Sequence, residues 1–330
     1  MKQLLSVAML LLLMAACQRD HLYYGTNNRA VIRVKIDWSK SQLTPNGATV
    51  VAYNKDGSLF EVFPPMSNPN DGTILLPEGN YDLVVFNDTP DEYRQVGFRG
   101  IENINTFEAY ATEKEVNKNR ASKFQNEMFV HEPDTLATAR INNLEVTSQM
   151  IQYSYDKPLS GNTQISKEVE ATPKRVTSLM RIRVHVKGLC YAKGAPRTYL
   201  RNMSASVFVG TGIQSTKPIT YEFVLNNRKF DEGSTHNATI TNNLSTFGLR
   251  PTGDAHERYY LDMLFTLING DPYPILVDIT DKIQVTEVEL QTILYIKLEL
   301  ELPEVIGGEG EGAFNPDVGE WQDVEVDIPM

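Results

Sequence analysis

Between Val176 and Lys187 the chain alternates strictly, with Met180, Ile182, Val184 and Val186 on one side and Arg181, Arg183, His185 and Lys187 on the other. A period of two places apolar residues on one face of a β-strand, whereas an α-helix would scatter the same residues around its axis. Shorter runs of β type recur over 29–38, 48–53, 58–63, 72–76 and 81–86, and again over 205–209, 219–225, 239–247, 259–268, 275–279 and 292–302. Turn chemistry separates them: Pro45-Asn46-Gly47, Asp56-Gly57, Asn70-Asp71-Gly72 and Pro77-Glu78-Gly79. Asn-Gly and Asp-Gly supply the positive φ of tight hairpins. Helical signals are confined to Thr89-Pro90, as cap and first residue of one turn, and to a short piece over 103–111. The pattern predicts an all-β chain.

At 330 residues there is room for about two domains. The stretch 157–173 is poor in apolar residues and carries Pro158, Gly161 and Pro173, so a linker is expected there. This predicts two tandem antiparallel β-sandwich domains, 29–156 and 174–330. A closing strand is expected over Trp321–Pro329, after the flexible acidic loop Gly307–Gly312.

The first residues form a separate unit. Lys2 precedes the apolar run Val7–Met14, then Ala15-Ala16 and Cys17, the three zones of an export signal. That run is too short to span a bilayer, which takes about 20 residues. Small residues before a cysteine resemble the bacterial lipobox, which makes Cys17 the expected lipidation site and 18–28 a tether. The alternative is a plain cleaved signal with a chance cysteine. With Cys17 acylated, Cys190 has no intramolecular partner and reads as a buried apolar thiol. The sharper reading, a catalytic thiol with His185 as base, has only proximity along one strand in its favour.

Composition and spacing exclude more than they select. Lys plus Arg is 31 against 42 for Asp plus Glu, a net charge of −11, which disfavours nucleic acid as a partner. The five histidines, His21, His131, His185, His236 and His256, are too far apart for the His-x-x-x-His spacing of a metal helix. Gly307–Gly312 lacks the Lys-Ser/Thr of a phosphate loop. No metal, cofactor or catalytic residue is expected, and the chain does not read as an enzyme, although paired carboxylates of a glycosidase are invisible in a sequence. Tyr23-Tyr24 and Tyr259-Tyr260 are the densest aromatic pairs and the candidate sugar platforms; the plainer reading divides each pair between core and surface. Asp134-Thr135-Leu136 resembles an O-glycosylation site used by some Bacteroidota, which makes Thr135 a candidate acceptor.

Together, Val34-x-Ile36-Asp37-Trp38, Pro45-Asn46-Gly47, Asp56-Gly57 and the run from Gly72 through Pro77-x-Gly79-x-Tyr81 to Phe86-Asn87 resemble Bacteroidota lipoproteins grouped with the fimbrial anchor and minor-subunit family. Arg175-Val176, Ile182-x-Val184-x-Val186-x-Gly188-Leu189 and the Trp321–Pro329 ending are similar to the same family. The resemblance implies transthyretin-like sandwiches and an anchor or accessory subunit, lipid-anchored at the outer membrane and facing the cell surface. Its implied partners are other fimbrial subunits, bound by β-strand addition. A stalk role would require trimming after Arg29 or Arg140. The second reading is a surface glycan-binding lipoprotein serving nutrient uptake.

Overall fold

Strand β1 (Ala30–Ile36) turns Ile32, Val34 and Ile36 into a core and leaves Arg33 and Lys35 outside, as its alternation dictates. Arg33 Nε donates to Asp71 Oδ1 at 2.8 Å, and Lys35 lies 2.7 Å from Glu168. These partners sit on β4 (Asp71–Leu76), antiparallel to β1, and β10 (Lys167–Ala171), parallel to it. The computed structural model describes residues 28–115, 127–155, 164–251, 258–288 and 291–305.

Facing β10-β1-β4 is a five-stranded sheet in the order β11 (Lys174–Arg175), β9 (Ala137–Val146), β5 (Gly79–Asn87), β2 (Ala48–Asn54) and β3 (Leu59–Val62). Ile32, Val34, Val50, Leu83 and Val85 meet between the two sheets. Helix α1 (Ser148–Tyr155) lies on β1, where Val31 N–H donates to Ser154 Oγ at 3.0 Å. The other face of the five-stranded sheet is also buried: Val51, Tyr53, Val84 and Phe86 belong to the second core. This explains why β2 and β5 read as nearly continuous apolar runs.

A four-stranded sheet, β15 (Ile213–Gln214), β14 (Ser206–Phe208), β7 (Glu108–Ala111) and β6 (Val96–Arg99), adds Val96, Ala109 and Val207 to that second core. The rest of it lies between two further sheets. One runs β17 (Asn227–Phe230), β18 (Ala238–Thr246), β12 (Ser178–Lys187), β22 (Gln291–Glu301), β21 (Ile283–Val288). The other runs β20 (Pro272–Asp278), β19 (Tyr260–Thr266), β13 (Arg197–Ser204), β16 (Pro218–Val224), β8 (Phe129–Val130). Met180, Ile182 and Val184 of β12 share this core with Leu261, Met263 and Phe265 of β19. The protein is therefore an all-β sandwich fold, and among the described residues no helix is long and apolar enough to cross a membrane.

Several expectations change. The linker over 157–173 becomes strand from Lys167: Val169 pairs with Val34, and Lys174-Arg175 returns to β9. Pairing with a preformed edge outweighs the weak apolar content of this stretch. The first half also reaches into the second, because β7 pairs with β14 and β8 with β16. Three pairings, β1–β10, β12–β22 and β16–β8, are parallel within an otherwise antiparallel set. The short helical piece over 103–111 is a turn leading into β7, whereas Pro90–Glu92 is one 3₁₀ turn with Thr89 N–H donating to Glu92 Oε2 at 2.7 Å. The closing strand Trp321–Pro329 and the loop Gly307–Gly312 lie outside the described residues.

Candidate functional site

Where a sheet ends, backbone N–H and C=O groups are left without a neighbour, and proteins usually guard such edges with proline, lysine, bulges or short length. Most edges here are guarded. β20 carries Pro272 and Pro274; β17 carries Arg228 and Lys229; β10 carries Lys167, Glu168 and Glu170. β3 pairs through an irregular register and runs into Pro64-Pro65. At β4 the core-facing Ile74 and Leu76 are fully covered.

β21 differs. Its sequence, Ile283-Gln284-Val285-Thr286-Glu287-Val288, has neither proline nor lysine and pairs with β22 without a bulge. Register places Ile283 opposite Ile296 and Val285 opposite Leu294, so both face the core side of the sheet. Val285 is nevertheless 54% exposed. The neighbouring edge, β20, turns Tyr273, Ile275 and Val277 the same way, opposite the buried Phe265, Met263 and Leu261, and all three are only half-buried. Among the described residues the sandwich is thus open along one flank, with an apolar inner wall and, on β21, an edge free of proline, lysine and bulge whose one charge, Glu287, lies beyond Val285.

The flank is held by the connection between its two strands. Ile279 is fully buried, and Ile283 N–H donates to its carbonyl at 3.1 Å. Thr280 Oγ1 donates to Asp278 Oδ1 at 2.6 Å and accepts from Tyr259 N–H at 2.9 Å, while Arg258 Nη1 reaches Asp278 Oδ2 at 2.9 Å. Hydrogen bonds from Thr280, and then Arg258, hold the Asp278 carboxyl below the usual range. The chain therefore crosses from one sheet to the other at a fixed place.

The residues singled out by sequence are dispersed. Cys17 and Tyr23-Tyr24 lie outside the described residues. Thr135 is half-buried and lines a polar cleft of about 340 Å³ with Asn46, Asn87, Asp88, Tyr93 and Asp134. Asn87 organises that cleft: its Nδ2 donates to Thr135 O at 3.2 Å and to Asp88 Oδ2 at 2.7 Å, and its Oδ1 accepts from Ala137 N–H at 2.8 Å. Cys190 is a free thiol, half-buried rather than buried, because it sits in a 3₁₀ turn (Leu189–Tyr191) and not in the strand; partial burial pushes its thiol up. His185 does not serve it as a base, since its Nε2 meets Asp231 Oδ2 at 2.8 Å. Tyr259 is buried and Tyr260 half-buried on the opposite face, which is the division between core and surface. The open flank had a local signal in the alternation of 283–286, broken by Glu287, but its exposure is decided by tertiary packing.

Comparison with known proteins gives the fold a context. No curated protein sequence matches the chain significantly. Among solved structures, a candidate adhesin from Bacteroides ovatus superposes with a TM-score of 0.53 at 18% identity, covering 85% of this chain and 94% of that one. The fimbrial anchor protein Mfa2 from Porphyromonas gingivalis gives 0.46 at 14% identity, over 82% and 90% of the two chains. A candidate cell adhesion protein from Bacteroides eggerthii gives 0.45 at 13%, over 83% and 88%. The first likeness shows a shared fold, the sandwich architecture expected from the sequence. A family model described as "Domain of unknown function (DUF5119)" matches residues 16–223. That match takes in more than half of the 330 residues, and the chain belongs to this family.

Proposed function

We propose that the protein is a cell-surface adhesion or fimbrial component, tethered to the outer membrane through a lipid on Cys17, that receives an extended segment of a neighbouring subunit along the β20–β21 flank. The observation that carries this reading is Val285: it faces the core side, yet is 54% exposed on an edge with no proline, lysine or bulge. An added strand would pair with the free side of β21 and cover Val285 and Ile283 with its own inward residues. Because both are already partly covered, completing the burial of one such side chain contributes on the order of 1 kcal/mol. The lipobox-like start and the fold shared with a candidate adhesin agree with a place in the envelope. In the same reading Thr135 is the glycan acceptor, with the attached sugar lying in the polar cleft it lines.

A photo-crosslinking residue at position 285, introduced in the native host, tests the flank. The expected product joins it to an extended segment of another envelope protein that carries apolar residues at alternate positions. A second arm measures adhesion of cells carrying Val285→Lys. Wild-type adhesion in that strain at unchanged surface abundance, or crosslinks found only within the same chain, would overturn the reading.

A further inference from the structure

The net charge of −11 conceals one face of opposite sign. Because Met180, Ile182 and Val184 fill the core, Arg181 and Arg183 stand on the outer side of β12. The parallel register with β22 sets Tyr295 beside Arg181 and Lys297 directly beside Arg183. On the other side, β18 sets Asn243 beside Arg181 and Thr241 beside Arg183. Arg183 and Lys297 are both exposed.

Like charges directly opposite on one sheet face destabilise it. Other outward cations are neutralised: Arg33 by Asp71, Lys35 by Glu168 and Arg140 by Asp82. Among the described residues, Arg181, Arg183 and Lys297 have no ion pair and no side-chain hydrogen bond, and Arg181 Nε is buried without an acceptor. His185, next along β12, already has Asp231. Among the described residues three cations are thus gathered without an ion pair, in a protein with carboxylates to spare.

We propose that this outer face binds an acidic polysaccharide, with a sugar carboxylate or sulfate between Arg183 and Lys297 and sugar hydroxyls on Asn243, Thr241 and Tyr295. β12 is paired on both sides at Arg181 and Arg183, and β22 on both sides up to Ile296, so along β12 no backbone groups are free to take an added strand and recognition passes through side chains. Glu299 and Glu301 continue the face beyond Lys297, so the positive zone is short. A densely charged phosphate backbone laid along the sheet meets those carboxylates as well as the net negative charge, whereas a sparsely charged saccharide avoids them. This site is on the opposite side of the sheet from the flank and is independent of it.

Affinity electrophoresis of the full chain in gels containing polygalacturonate, dextran sulfate, neutral dextran or duplex DNA tests the assignment. Retardation by polygalacturonate identifies carboxylate as the recognised group, and retardation by dextran sulfate identifies sulfate; dextran and DNA leave mobility unchanged. The double variant Arg183→Gln/Lys297→Gln weakens binding about tenfold or more, and added salt weakens the wild-type interaction. The same variant melts at an equal or higher temperature, because it removes a repulsion, so lost binding is not lost folding. Arg181→Gln provides a second, single-site check. No retardation by either acidic polymer, unchanged binding in both variants, or DNA bound as tightly as the saccharides would overturn the proposal.

Discussion

Val285 and Leu294 are directly opposite one another on the core side of a single sheet, yet Leu294 is 2% exposed and Val285 54%. One strand separates a finished core from an unfinished one. The physical consequence is that the two positions respond unequally to substitution. Leu294→Ala is expected to destabilise by about 2–5 kcal/mol. Val285→Lys stays within about 0.5 kcal/mol of wild type, because its side chain is already largely in water. Urea unfolding of the two variants measures the difference, and a loss at Val285 as large as at Leu294 would mean the flank is closed in solution.

Asn87 holds the β5 end to the segment before β9 with both ends of its amide. Asn87→Ala leaves the buried Ala137 N–H without an acceptor, which costs about 1–3 kcal/mol. Asn87→Asp keeps the acceptor but loses the donor to Thr135 and sets a second carboxylate beside Asp88. It too is less stable, and most so above the carboxylate pKa range. Thermal melts at pH 7 and pH 4 separate the two effects.

Glu108 is a buried carboxylate joining the two halves of the four-stranded sheet, since it accepts from Arg99 Nε at 2.5 Å on β6 and from Ser206 Oγ on β14. Burial by itself would raise its pKa, but the hydrogen bonds from Arg99 and Ser206 outweigh burial and lower it. A carboxyl with a depressed folded pKa stabilises above its unfolded pKa and loses that contribution as pH falls through the folded value. Glu108→Gln should therefore be less stable than wild type at pH 7 and converge with it in acid. A difference that stays constant from pH 7 to pH 3 would refute this.

Arg201 is 3% exposed between Glu127 and Asp262, with its Nη2 2.6 Å from Asp262 Oδ2. Burial raises the Glu127 pKa, and Arg201 acts against it. Arg201→Met leaves two carboxylates facing each other with the cation gone, at a cost of about 3–5 kcal/mol. Asp262→Asn/Glu127→Gln in the same background should recover part of that loss, which a simple packing defect would not.

Lipidation has a direct readout. Cells grown with labelled palmitate should label the wild-type protein and not Cys17→Ser, and the variant should leave the membrane fraction. A Thr135→Ala protein from the native host should lose any sugar mass carried by the wild type.

Local signals determined much of this protein. The strands β1, β2, β5, β12, β18 and β22 were legible because period-two burial and turn residues act over a few neighbours. β9 and β13 were not, since Asn143 and Asn202 adopt φ of 56° and 68° and interrupt the alternation at bulges. Only the tertiary structure decided which strands meet: that β10 returns to β1, that Lys297 lies beside Arg183, and that Val285 is left 54% exposed. Strand pairing is satisfied by backbone groups that every residue carries. The choice of neighbour is therefore made by packing between segments far apart in the chain, and a site formed by such neighbours leaves no compact mark in the sequence.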